Sequence, residues 1–106
     1  MFARIVSLRL KPNTHKQFSE KFEKEVVPTL RKQKGFQDEI MFVAAGGTEV
    51  VAISLWDSKD SAEIYNRGTY PEVLKTLANM VEGTPEVRPF EVAHSTFHKI
   101  TALAAA

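Results

Sequence analysis

Two stretches of this chain, FARIVSLRL (residues 2–10) and EVVAISLW (residues 49–56), alternate like β-strands yet are apolar on both sides. In the first, Phe2, Val6, Leu8 and Leu10 share a face with Arg4, while Ala3, Ile5, Ser7 and Arg9 form the other. In the second, Val51, Ile53 and Leu55 oppose Val50, Ala52 and Trp56. Such strands belong in the middle of a sheet, and both faces of that sheet need cover. Bare on one side, it would be an unusually large exposed apolar patch.

The remaining segments say what covers the first face. After KPN, where Asn13 or Thr14 can cap a helix, Phe18, Phe22, Val26 and Leu30 recur four apart and form one apolar stripe beside Val27. Pro28 lies inside the stripe and predicts a kink or a fresh helix start. Gly35 is read as a left-handed cap, FQDEIMFVAA (36–45) as a strand, and Gly46-Gly47 as a hairpin turn that returns the chain antiparallel. Asp57 is the expected cap of the next helix, Asp60 suits its positive end, and Gly68 stops it. A short second helix starts near Thr69 with Pro71 in its first turn, burying Val73, Leu74, Leu77 and Val81. The last strand is expected from Val87 to Ile100, bent near Pro89.

The order β-α-β-β-α-β is the ferredoxin-like α+β plan, a four-stranded antiparallel sheet with its first and third strands central. Right-handed crossovers put both helical segments on one face. The other face is most cheaply covered by a second copy, so a homodimer is expected. With 106 residues and no composition shift, the chain reads as a single domain over 1–106, with a core of about 2–100 and a tail at 101–106.

Charge and composition remove several function classes. A net charge of +1 with interspersed signs gives no basic face for nucleic acid. No apolar run reaches the roughly 20 residues that span a membrane, and MFARIVSLRL lacks the continuous apolar stretch of a signal peptide. The absence of cysteine excludes thiol catalysis and cysteine-based zinc sites, and fits a cytoplasmic location. Gly46-Gly47 lacks the lysine and the following helix of a phosphate loop.

The candidate site centres on Trp56, the single tryptophan, where strand meets helix. It reads either as a core anchor or as the wall of a cleft. Ala52 and Ser54 share its face, and their small side chains leave space beside the indole for a small hydrophobic molecule. Tyr65 is a possible donor to a bound carbonyl, and Tyr70 a weaker one because it lies in an inter-helix turn. His94 and His98 share a face of the expected last strand but stand roughly 13 Å apart, too far for one metal ion. His94 is the candidate acid or base, weighed against an ordinary strand histidine, and His15 is read as solvated. Arg4 and Arg9, on opposite faces, each pair with a carboxylate or hold an anionic ligand, pairing being favoured. No metal is expected, because no helix carries an HxxxH, an HExxH or a carboxylate cluster.

The KPN turn, the proline within helix one, QKGF (33–36), and LW followed by DSKDSAE (57–63) together resemble the dimeric α+β barrel superfamily. Within it the chain is most similar to the antibiotic-biosynthesis-monooxygenase-like domains, over about residues 2–100. The resemblance implies a dimeric barrel and a pocket tryptophan at Trp56, and it brings Val6 into the candidate pocket. That position falls where members place a first-strand asparagine, which neither Val6 nor Ser7 supplies. Haem-degrading members carry a histidine on the later helix, whereas PEVLKTLANM (71–80) has none. Three readings stand: a cofactor-independent monooxygenase of a small hydrophobic or aromatic molecule, a non-catalytic dimeric binding or stress-related protein, or a cleft filled by side chains.

Overall fold

The computed structural model describes residues 1–100, so the expected tail lies outside the described residues. Four strands, β1 (Phe2–Leu10), β2 (Phe36–Val43), β3 (Glu49–Trp56) and β4 (Val81–Glu91), form one antiparallel sheet in the order β2-β3-β1-β4. The two strands apolar on both sides are the central pair. The fold is the ferredoxin-like α+β plan.

The first crossover is helical from His15 to Arg31 in three consecutive parts: α1 (His15–Lys21), a π turn (Phe22–Val26) and α2 (Val27–Arg31). Pro28 is the second residue of α2, immediately after the π turn, so the change of hydrogen-bond pattern falls where its N–H is missing. An apolar period of four exceeds the α-helix's roughly 3.6 residues per turn, so the stripe would creep by about 40° per step. The wider π turn takes up that drift. Phe18, Phe22, Val26 and Leu30 all stay buried against the sheet.

The second crossover is α3 (Lys59–Gly68), α4 (Tyr70–Leu77) and a 3-10 turn (Ala78–Met80). Its buried residues Ala62, Tyr65, Val73 and Leu77 join the same core, so the helices cover one face. Between the crossovers, Gly35 adopts φ +82°, and its carbonyl accepts from the Asp57 amide at 2.8 Å. A Cβ there would stand 2.3 Å from Asp57 Oδ1 and 2.4 Å from Ser61 Oγ. Only glycine allows this approach.

Several sequence expectations are corrected. Ser58, and not Asp57, caps α3, accepting from the Ser61 amide. Asn13 takes φ 62° in the turn, and Thr14 occupies the cap position with its hydroxyl turned back to the Lys11 carbonyl. The last strand begins at Val81 and ends at Glu91 instead of spanning Val87–Ile100. As an edge strand it tolerates Pro85 and Pro89, whose missing N–H groups are less costly there. His94 and His98 therefore share no strand face; both lie in the irregular segment after β4.

That segment crosses the uncovered face of the sheet, where Phe97 and His98 lie beside Asp38, Ile40 and Leu55. His98 Nε2 bonds Asp38 Oδ2. Among the described residues the rest of that face stays open, with Ile40 and Phe42 each 51 % exposed. No helix of the described residues is long and apolar enough to cross a membrane.

Candidate functional site

Register and one bulge decide which side chains meet beneath the helices. Arg4 pairs with Ser54, and Ser54 pairs with Glu39, so the three form a row across β1, β3 and β2 on the helix-facing side. Val6, Ala52 and Met41 form the next row. Glu39 reaches this face because β2 shifts register between Phe36 and Asp38. Phe36 faces inward against Trp56, with ring centroids 5.6 Å apart. Strict alternation from Phe36 would send Glu39 outward; the extra residue, Gln37, reverses the phase.

A cavity of about 50 Å³ lies between these rows and the helices. Its walls are mostly apolar, with Val6, Phe22, Ala52 and Leu77 among them, and its polar edge is formed by Arg4, Glu39, Ser54, Tyr65 and Tyr70. Beside it, between α3 and the uncovered inner side of β4, runs an open groove of about 600 Å³. Arg4 borders both spaces.

Arg4 is only 4 % exposed and forms no ion pair among the described residues. The expected carboxylate partner is replaced by an amide and two rings. Its Nη2 donates to Asn66 Oδ1 at 2.9 Å, and its guanidinium carbon lies 4.9 Å from the Tyr65 ring centroid and 4.4 Å from that of Tyr70. Desolvated contacts of this kind contribute up to about 2 kcal/mol. Burial pulls the guanidinium below its usual pKa, and the two phenols oppose that pull.

Behind Arg4 the aromatic rings form a continuous chain: Trp56 to Tyr65 at 4.9 Å and Tyr65 to Tyr70 at 6.0 Å. Burial pushes the Tyr65 hydroxyl up to about 12, so it stays a neutral donor. Tyr70 is also raised, by burial first, with Arg4 opposing. Its hydroxyl is buried with no hydrogen-bond partner among the described residues. Glu39 Oε2 is buried and unpartnered in the same way, and desolvation raises its carboxyl from 4.5 to about 7. Two unmet polar atoms and an unpaired cation thus border one apolar cavity.

Of the residues singled out in the sequence, Val6, Ala52, Ser54 and Tyr65 line the cavity. Trp56 does not. It is fully buried behind Tyr65, its indole N–H donating to Ser54 Oγ at 2.9 Å. His94 is exposed in the segment after β4 and lines none of these spaces. Glu39 was missed, although Asp38-Glu39 carried a signal: of two successive acids in a strand, one must face inward. Among the described residues no three His, Asp or Glu side chains gather as a metal site would require.

Residues 1–76 match the family model described as "Antibiotic biosynthesis monooxygenase". The fold is similar to a monooxygenase from the gene ActVA-Orf6 of Streptomyces coelicolor, solved in complex with nanaomycin D (TM-score 0.75, 18 % identity, 92 % of each chain covered). It is also similar to SnoaB, a cofactor-independent oxygenase from Streptomyces nogalater (TM-score 0.74, 13 % identity, 90 % of this chain and 95 % of that one). NE2512 from Nitrosomonas europaea, a protein of unknown function, is equally similar (TM-score 0.74, 15 % identity, 95 % and 94 % covered). A comparison with curated protein sequences finds no match.

Proposed function

This chain belongs to the antibiotic biosynthesis monooxygenase family, and from that premise we propose that it is a cofactor-independent monooxygenase-like protein acting on a small hydrophobic or aromatic molecule held between sheet and helices. The observation that carries this reading is the buried, unpaired Arg4 at the edge of an otherwise apolar cavity. A guanidinium kept from water and given no carboxylate is poised for an electron-rich oxygen of a ligand. Tyr65 and Ser54 flank it, and Val6 and Ala52 give the apolar wall.

In this reading the substrate supplies the electrons. An anthrone-type ring methylene loses a proton, and the resulting anion is held with its oxygen toward Arg4 while dioxygen reacts at carbon. One oxygen atom becomes the ring carbonyl, and the other leaves as water with the two methylene hydrogens. The protein excludes water and stabilises the anion. At about 50 Å³ the cavity takes such a ring only if its walls give, with the neighbouring groove receiving the remainder.

A second reading, binding without turnover, is favoured by one contact: the Trp56 indole N–H is already engaged by Ser54. Oxygen consumption with a hydroxyanthrone separates the two. Turnover that falls at least about tenfold in Arg4→Gln supports the enzyme; saturable binding without oxygen uptake supports the binder; neither binding nor uptake would sink both. Two further parts of the proposal are that residues 1–106 act as one domain and that two copies pair through the open sheet face, where Ile40 and Phe42 stand exposed.

A further inference from the structure

We propose that Glu39 is the proton acceptor of this cavity, so that its ligand presents an acidic O–H or C–H group to Glu39 and the oxygen that gains negative charge to Arg4. The inference rests on the cavity's being the binding site and goes beyond it by fixing the ligand's chemistry and orientation.

Glu39 and Arg4 flank Ser54 in one cross-strand row, which sets their Cα atoms about 10 Å apart. They form no ion pair, and both border the cavity. A ligand lying between that cation and that lone carboxyl would carry a polar group at each end. The groups facing Glu39 across the cavity are Arg4 from β1, Tyr65 from α3 and Tyr70 from α4; the helix over β2 contributes Phe18, Phe22, Val26 and Leu30. Tyr65 and Tyr70 are held neutral by burial, which leaves Glu39 as the group able to take a proton near neutrality.

An unpartnered carboxyl oxygen under an apolar roof is costly, and a packing role would be met by a methionine such as Met41 in the next row. Desolvation that raises the carboxyl toward neutrality makes its anion a stronger base, while a ligand proton gives the acid form a reason to persist. The step is a proton transfer: the ligand's O–H or C–H bond breaks, the proton moves to Glu39, and the electron pair stays on the ligand as an enolate or phenolate facing Arg4. No oxidant is needed for it.

The probe is 4-nitrophenol, whose phenolate absorbs visible light and so reports its own ionisation when bound. At about pH 8 wild-type protein should bind the phenolate with uptake of about one proton, measured by titration calorimetry in two buffers of different ionisation enthalpy. Its affinity for the phenolate should fall about tenfold per pH unit above that point. Glu39→Gln, a neutral isostere, should bind the phenolate with no proton uptake and a flat pH profile. Arg4→Gln should shift the bound probe toward the neutral phenol. Equal proton uptake in wild type and Glu39→Gln would overturn the role of Glu39 and leave the binding site standing. No binding by wild type would overturn both.

Discussion

Trp56 and Glu39 illustrate how position alone decides a residue's task. The indole reads from the sequence either as a core anchor or as a cleft wall, and it is fully buried as the backing for Tyr65. Trp56→Phe keeps most of the packing and loses the bond to Ser54, so it should cost about 1–3 kcal/mol in urea unfolding, part of that from the partnerless serine hydroxyl. Glu39 makes a different prediction. Its carboxyl is raised from 4.5 to about 7, so the stability associated with the protonated acid is complete below pH 4.5 and lost as pH rises through about 7. Glu39→Gln cannot ionise. Thermal midpoints of the two proteins should run together in acid, diverge across that window, and stay apart above it with the variant more stable. Curves that remain parallel throughout would mean that Glu39 titrates normally. Ala52 and Ser54 were legible as cavity residues because alternation and small size survive in the sequence, whereas Val6 came from the family resemblance and Tyr65 from its phenol on the following helix. Glu39 was hidden by one bulge, and the surroundings of Arg4 by helices whose packing no local pattern records.

Elements were read best where the chain has strong punctuation. β1 and β3 were placed at their observed ends, and Pro28 and Pro71 each mark a helix start. β4 was started too late because Gly83 and Pro85 argue against a strand, and only its edge position makes them tolerable. The π turn was invisible as such, although the strict period of four was its trace. At this scale Gly35 is the point where the first crossover, β2 and the β3–α3 corner meet. Gly35→Ala combines a left-handed backbone with a Cβ 2.3 Å from Asp57 Oδ1. It should destabilise the fold by about 2–4 kcal/mol in equilibrium denaturation. A loss below about 1 kcal/mol would show that this corner yields easily. Gly46→Ala, in open space without the positive φ, is the matching control.

For the whole molecule, the layered plan follows from two central strands apolar on both faces and helices enough for one. The opposite face carries Ile40, Phe42 and Val51 beside the returning segment that holds Phe97 and His98. If two copies pair there, Phe42→Asp should convert a dimer to a folded monomer in light scattering at micromolar concentration. Its helical circular dichroism should be retained, because Phe42 touches none of the helix-side core. An unchanged mass would place the pairing surface elsewhere or remove it. The groove beside Arg4 lies on the other side of the sheet, so a monomeric variant that still binds ligand would separate assembly from binding.

The proposed function requires that the space under the helices receive a ligand. Trp56, the single tryptophan, touches Tyr65 on the cavity wall, so its emission reports occupancy. Ala52→Val adds bulk to a cavity of about 50 Å³ without adding polarity. Titration with a hydroxyanthrone should quench wild-type fluorescence saturably, and Ala52→Val should weaken that binding at least about tenfold while its unfolding midpoint holds or rises. Identical quenching in both proteins, or none in wild type, would contradict it.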